Sequence, residues 1–134
     1  MTMPKGVKIF LEPGTRIRDW IRNQTLNVEA YPDYLYGRRV RCLKIKGAEA
    51  GFFPGGSVLV KMSGSEEWWG AFRPLKVLEV QDLGGKVLER NYYLCTECGQ
   101  LRNTKIDDSE YIGDGKFRTH CTCENCGYHW AVLH

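Results

Sequence analysis

The sequence contains no apolar run near the roughly 20 residues that cross a bilayer. Its first residues, MTMPKGVKIFLEPG, lack the apolar stretch of a secretory signal. These two absences predict an intracellular protein, either cytoplasmic or associated with the nucleoid or nucleus, without a membrane partner. With 134 residues, 43% of them hydrophobic and 26% charged, the chain suffices for one ordinary domain or two small ones.

Known catalytic motifs are missing as well. The sequence has no GxSxG, no P-loop, no HExxH and no dinucleotide fingerprint. HCTCENC has some likeness to zinc deaminases, but their chemistry needs a glutamate two residues after the histidine. Neither His120 nor His129 is followed by one. We therefore predict that the protein is not an enzyme and takes no small-molecule substrate.

The net charge of +3 is small, but its distribution is uneven. Residues 95–134 carry four Lys and Arg against six Asp and Glu, while the preceding 94 residues carry 15 against 10. The basic surplus therefore lies entirely in the first two-thirds of the chain.

Five of the six cysteines fall in the last 40 residues. Clustered CxxC pairs without a signal peptide favour a metal site over a disulfide framework. The two pairs, each followed by glycine, are Cys95 with Cys98 and Cys123 with Cys126. Each CxxCG can form a tight knuckle that points both sulfurs at one ion, and the glycine relieves the left-handed turn after the second ligand.

Two knuckles supply four thiolates, which is a closed tetrahedral shell. That shell suits one structural Zn²⁺ and leaves no open position for a catalytic water. The alternatives are redox disulfides or a rubredoxin-like iron site with the same thiolates. Cys121 shares a strand face with Cys123 and is a second-ranked replacement for it, because a CxxxxC pair loses the tight knuckle.

The remaining cysteine and the histidines have simpler interpretations. Cys42 lies in an apolar and basic strand pattern, so we expect a small core residue. His129 is a candidate to hydrogen-bond a sulfur, since it follows the second knuckle. The favoured interpretation of His120 and His129 is nevertheless that of ordinary surface or packed residues.

The first 94 residues predict a mainly β structure with one short helix. Short apolar stretches predict strands at 7–11, 39–45, 57–62, 68–75, 77–81 and 87–94, with a loop at 47–56. Thr15 can cap a short helix on which Ile17, Trp20 and Ile21 follow the i, i+3, i+4 pattern. Strands at this spacing indicate a small SH3-like β-barrel or sandwich body at residues 1–94.

The 24 residues between Cys98 and Cys123 fit a hairpin, with strands at 100–106 and 117–122 and a third at 128–133. Residues 95–134 resemble the zinc ribbons of transcription elongation factor S and of small RNA polymerase subunits. They share the paired CxxC knuckles, the spacing and an aromatic residue after the last knuckle, here Tyr128 and Trp130. The resemblance implies a three-stranded zinc ribbon, which we expect to pack on the body without a flexible linker.

An acidic segment, IDDSEYIGDGK, occupies the predicted hairpin loop, and we expect Asp107, Asp108 and Glu110 to form an acidic tip. Elongation factor S carries an adjacent Asp-Glu pair at its ribbon tip that helps to hold a metal in the polymerase active site. The acidic run here lacks that pair and lies earlier, so the cleavage-stimulating role does not transfer. A solvated polar turn is the favoured interpretation.

Basic and aromatic residues of the body form a candidate surface for a nucleic acid or another partner. Cations neutralise phosphates and rings stack on unpaired bases, provided that the fold brings them together. One of Trp68 and Trp69, on opposite faces of a strand, is expected to be exposed. The candidates are Arg16, Arg18, Arg22, Arg38, Arg39, Arg41, Lys44, Lys46, Tyr34, Tyr36 and Trp69.

These observations lead to one hypothesis and two alternatives. The first is a non-enzymatic zinc-ribbon protein that binds DNA, RNA or an RNA polymerase-type protein complex, and acts in transcription or its regulation. The second is a small protein-binding inhibitor or adaptor, for example one encoded by a phage and acting on a host enzyme. The third is a structural subunit of a larger assembly.

Overall fold

A computed structural model of the chain describes residues 6–13, 28–53, 57–62, 69–72, 77–101 and 103–133. The predicted helix that Thr15 begins lies outside these ranges. Within them, no helix has the length and apolar character needed to cross a membrane. The described strands are β1 Gly6–Leu11, β2 Val28–Leu35, β3 Arg38–Lys46, β4 Ala48–Phe53, β5 Ser57–Met62, β6 Trp69–Phe72, β7 Val77–Asp82, β8 Val87–Arg90, β9 Thr104–Gly113, β10 Lys116–Cys123 and β11 His129–Leu133.

The strands form three sheets, and the predicted mainly β class is confirmed. One sheet has the order β2-β3-β1-β7-β8, a second has β4-β5-β6, and a third has β11-β10-β9. Across the described residues these sheets do not close into a barrel. The chain divides into a body unit, residues 1–34 and 39–91, and a C-terminal unit, residues 35–38 and 92–134. Direct packing of a ribbon on the body stays a prediction.

The core of the body unit follows from the alternation of its strands. Val7 and Ile9 of β1 pair with Ile45 and Leu43 of β3, so apolar residues line one face of the five-stranded sheet. The second sheet contributes side chains to the same buried cluster, so the two sheets pack together as a sandwich. Its members are Val7, Ile9, Leu11, Leu43, Ile45, Ala48, Val60, Val77 and Val80.

One carboxylate is buried within the body unit. Glu79 is 1% exposed and accepts hydrogen bonds from Arg90 Nε at 2.7 Å and Gln81 Nε2 at 2.6 Å. A buried charge is tolerated when it is paired and hydrogen-bonded. Glu79 and its partners therefore link β7 to β8 rather than form a reactive site.

Two strand predictions in the body are wrong. The expected loop at 47–56 contains β4, which pairs with β5 from Ala48 to Phe53. The strand expected at 87–94 ends at Arg90, because Asn91 makes different bonds: its N–H donates to the carbonyl of Leu78 and its Nδ2 to that of Val77. The chain then turns towards Cys95.

The C-terminal hairpin is longer than expected, and its turn lies elsewhere. Asp114 and Gly115 have φ angles of 54° and 71°, as a two-residue type I′ turn requires. The acidic residues Asp107, Asp108 and Glu110 consequently lie inside β9, paired with β10, and do not form a tip. The prediction of an acidic loop is therefore corrected: these carboxylates belong to a strand.

Candidate metal centre

The two CxxCG segments fold into matching knuckles. In the first, the N–H of Gly99 donates to the carbonyl of Cys95 at 2.8 Å. In the second, the N–H of Gly127 donates to the carbonyl of Cys123 at 2.7 Å. Both glycines have positive φ, 74° and 79°, as predicted from the sequence.

A second hydrogen bond is also repeated in both knuckles. The N–H of Cys95 donates to the carbonyl of Gln100 at 3.0 Å, and the N–H of Cys123 donates to that of Tyr128 at 2.9 Å. Equivalent bonds at equivalent positions hold both segments in one backbone conformation. The four thiols are thus presented by two nearly identical loops.

The four knuckle thiols converge on one point. Their Sγ atoms all lie within 4.8 Å of one another, with Cys95 to Cys126 at 3.5 Å and Cys98 to Cys123 at 3.6 Å. Four sulfurs around a Zn²⁺ with bonds of about 2.3 Å would be about 3.8 Å apart. No disulfide joins these cysteines, which are all free thiols. The cluster can therefore hold a metal ion of that size.

Amide donors aimed at the sulfurs favour the thiolate form. The N–H of Gln100 donates to Cys98, and the N–H of Tyr128 donates to Cys126. Asn125 Nδ2 lies 3.7 Å from Cys98 Sγ as a further donor. Such contacts orient ligands and tune their charge. The role of Asn125 was not predicted, because the CxxC pattern specifies nothing about the two residues between its cysteines.

The thiols differ in their acidity before a metal binds. Burial raises the pKa of Cys95 to about 12. Burial also opposes ionisation of Cys98, but donors from Gln100 and Asn125 and the neighbouring thiols lower its pKa to about 7. The N–H of Tyr128 lowers the pKa of Cys126, yet desolvation and the thiols of Cys98 and Cys123 outweigh that bond and raise it. A metal must therefore displace protons from Cys95 and Cys126.

The other two cysteines do not join the cluster. Cys121 is 1% exposed and pairs in the sheet with Trp130 and Ile106. Cys42 is buried in β3, and its thiol donates to the hydroxyl of Tyr31 at 3.5 Å. Cys42 is thus a small core residue, as expected, and Cys121 is a buried neighbour of Cys123.

The histidines bind other side chains. His129 Nδ1 lies 2.7 Å from Thr122 Oγ1, and Thr122 in turn donates to Asp107. His120 Nε2 lies 3.3 Å from Glu110 Oε1. Both histidines are therefore engaged on the polar face of the C-terminal sheet, and the possible His129 bond to a sulfur is replaced by one to Thr122.

The candidate basic residues of β3 are divided between two faces. Strand alternation puts Arg39 and Arg41 on one side and Lys44 and Lys46 on the other. Arg38 has a different contact, since its Nη1 donates to the carbonyl of Gly99 at 2.9 Å within the C-terminal unit. The remaining candidates Arg16, Arg18 and Arg22 lie outside the described residues.

The aromatic candidates also have different environments. Tyr34 is 70% exposed, whereas Tyr36 is half-buried in a turn with a φ of 51°. Trp69 begins β6, and its side chain lies outside the described set, as does all of Trp68. Of the three predicted aromatic residues, Tyr34 is therefore the one that the described structure shows to be exposed.

An exposed aromatic pair at the far end of the hairpin was not predicted. Tyr111 and Phe117 meet edge to face, with centroids 5.3 Å apart, and Tyr111 is 62% exposed. The N–H of Gly115 donates to the Tyr111 hydroxyl at 3.1 Å and fixes that ring. A two-residue turn at Asp114-Gly115 would by itself set Phe117 opposite Ile112, and the irregular register between Lys116 and Phe117 brings Tyr111 opposite it instead.

The comparisons with known proteins give no further identification. No family model, no curated protein and no solved structure matches this chain. The function must therefore be inferred from the cluster and the surfaces themselves.

Proposed function

We propose that the chain is a non-enzymatic zinc-ribbon protein that binds a nucleic acid or an RNA polymerase-type machine in transcription or its regulation. One structural Zn²⁺, held by Cys95, Cys98, Cys123 and Cys126, would stabilise the ribbon. The observation that carries the proposal is the convergence of four thiols within 4.8 Å. A four-thiolate shell is closed, so its role is folding rather than catalysis.

Zinc fits the cluster better than iron on chemical grounds, because matched CxxC knuckles of this size are typical of structural zinc. Elemental analysis of the purified protein tests this, with Cys126→Ser and Cys121→Ser compared in parallel. We expect one zinc per chain in the wild type and in Cys121→Ser, and a large loss in Cys126→Ser. Full zinc in a folded Cys126→Ser variant would contradict the ligand set.

The nucleic-acid part of the proposal is supported by the basic surplus of residues 1–94 and by exposed Arg39 and Tyr34. Binding to single-stranded and duplex DNA and RNA should weaken steeply as salt rises, because phosphate contacts release counterions. Arg39→Gln should lower that salt slope by about one. Lys116→Gln, an equal charge loss at an exposed position of the C-terminal unit, is the control.

A protein-binding inhibitor or adaptor is the second candidate. It is favoured by the exposed pair of Tyr111 and Phe117, since aromatic residues are enriched at the centres of protein interfaces. Absence of DNA and RNA binding at low salt, together with a specific protein captured by the wild type and lost by Tyr111→Ala, would favour this function over the first.

A further inference from the structure

We propose that β9 is a docking edge for an extended segment of another protein, in which basic and apolar side chains alternate. The segment would add to the C-terminal sheet as a fourth strand. This inference goes beyond the proposed function, because it depends on a folded sheet and on neither nucleic-acid binding nor a role in transcription.

The first argument is the open position of β9. The sheet order β11-β10-β9 places it at an edge, and it is ten residues long, against five for β11 at the other edge. Every residue from 105 to 112 is exposed. Within the described ranges β9 pairs with β10 alone. An edge strand of this length presents main-chain donors and acceptors that an extended peptide can bind.

The second argument is that the two faces of β9 differ in chemistry. Ile106 and Tyr111 pair with Cys121 and Phe117, which puts them on the apolar face of the sheet together with Ser109. An added strand would place every second side chain beside this row. Those positions should be apolar or aromatic.

The opposite face of β9 carries three carboxylates and one cation, Lys105, which lies opposite Thr122. Of the carboxylates, Glu110 is paired with Arg118 and His120. Asp108 and Glu110 pair with His120 and Arg118, and the irregular register next to His120 lets Asp107 reach the same face, where it accepts a bond from Thr122. Asp108 accepts a bond from the N–H of the following residue, so its charge remains accessible. The intervening side chains of an added strand should therefore be Lys or Arg.

Charge also decides against a second copy of this chain as the occupant. If the β9 strands of two copies paired antiparallel and centred on residue 109, Asp108 of each copy would lie directly opposite Glu110 of the other. Like charges directly opposite each other destabilise a strand pair. In that register the acidic face disfavours self-association, and its surplus of carboxylates over Lys105 favours a basic segment of a different protein.

The test uses the full-length, zinc-loaded protein and a short synthetic peptide that alternates lysine with valine. A peptide of the same composition, with its lysines and valines in separate blocks, is the matched control. By amide NMR at low salt we expect shifts and slowed hydrogen exchange at residues 104–113, and an affinity about tenfold tighter for the alternating peptide. Equal affinities, or shifts centred outside β9, would overturn the proposal.

Two charge reversals complete the test. Asp108→Lys should weaken binding of the lysine–valine peptide about tenfold and permit binding of a glutamate–valine peptide. Glu89→Lys changes the net charge equally at an exposed position of β8 in the body unit and should change neither affinity. Zinc content and dispersed amide spectra establish that both variants are folded. An unchanged affinity in folded Asp108→Lys, or equal losses in both variants, would contradict the proposed edge.

Discussion

The two units of this chain are each stabilised internally by a different kind of contact. The body unit buries a cluster of apolar side chains contributed by both of its sheets. In the C-terminal unit β9 is exposed along almost its whole length, and three of the buried residues are the cysteines Cys95, Cys121 and Cys123. The comparison indicates that one unit folds by burial of apolar surface and the other depends on its thiols.

This difference follows from the small size of the C-terminal unit. A module of about 40 residues buries too little surface to offset its conformational entropy, and metals or disulfides are the usual remedy. Four converging thiolates can supply about 10–16 kcal/mol through a structural zinc. The body unit, with its two-sheet core, has no such need.

The largest effect is expected from removing the metal. Chelation of a bound ion, or Cys126→Ser, should unfold the C-terminal unit, because it loses most of the roughly 10–16 kcal/mol that the metal supplies. Amide NMR resolved by residue is the measurement. Signals from residues 104–133 should collapse to unfolded positions, while those of β1, β3 and β7 persist.

Cys121→Ala serves as the control for that experiment, since it removes a buried thiol that lies outside the cluster. We expect it to keep its metal and to cost about 1–2 kcal/mol for the lost packing. Collapse of the body signals together with those of the C-terminal unit would show that the two units do not fold separately.

A core truncation in the body should produce the reverse pattern. Leu43 is fully buried and belongs to the shared core, so Leu43→Ala should lower the free energy of unfolding of the body unit by about 2–5 kcal/mol. Denaturant titration followed at body residues measures the loss. Metal stoichiometry should be unchanged, and a loss of bound metal would contradict the separation.

The pH dependence of metal binding gives the next effect. Ordinary thiols have a pKa of about 8.5, and in the knuckles the pKa of Cys95 is about 12 and that of Cys126 is raised, so binding at pH 8 must release at least two protons from the unfolded or the folded unit. For each proton released, metal binding becomes weaker by about 1.4 kcal/mol when the pH falls by one unit. Cys98, with a pKa of about 7, adds a further proton below that pH and steepens the decline.

Calorimetry of zinc binding in two buffers with different ionisation enthalpies counts the protons directly. A count that does not increase from pH 8 to pH 6 would contradict the low pKa of Cys98. We expect the body unit to contribute no protons to this count, because the four cysteines lie entirely within the C-terminal unit.

The thiol cluster could be predicted from the sequence because CxxCG is a local signal. Two ligands, a tight turn and a glycine within five residues specify one backbone conformation, and both knuckles adopt it. The turn of the hairpin does not lie where the acidic composition of residues 107–110 predicts it, because the chain reverses at Asp114-Gly115. Composition indicates solvent exposure, whereas the turn requires positive φ.

The basic surface could not be predicted, because it depends on which residues long-range pairing brings together. Arg38 and Arg39 are neighbours in sequence, yet Arg38 donates to Gly99, which lies 61 residues away. No local pattern reports such a contact. The alternation of β3 was readable from the sequence and would have shown that Arg41 and Lys44 point to opposite faces.

The smallest expected effect comes from comparing the two knuckle glycines, Gly99 and Gly127. They share a backbone conformation but have different neighbours. A Cβ at Gly99 would lie 2.7 Å from the Cβ of Arg38 and 3.1 Å from the carbonyl oxygen of Leu35, whereas one at Gly127 would meet nothing within 4 Å. Alanine in the left-handed region costs about 1–2 kcal/mol at either position. At Gly99 the clash with Arg38 should add about 1–3 kcal/mol, as overpacking does.

Metal affinity by competition with a chelator is the measurement, since the C-terminal unit folds with its ion. Gly99→Ala should bind about 5-fold to 100-fold more weakly than Gly127→Ala, because 1.4 kcal/mol corresponds to a factor of ten. Gly127→Asn should lose less than Gly127→Ala, since asparagine tolerates positive φ. The difference in metal affinity between the two alanine variants measures the effect of the close contact between Gly99 and residues 35–38. Equal losses of affinity would mean that this contact has no effect on the knuckle.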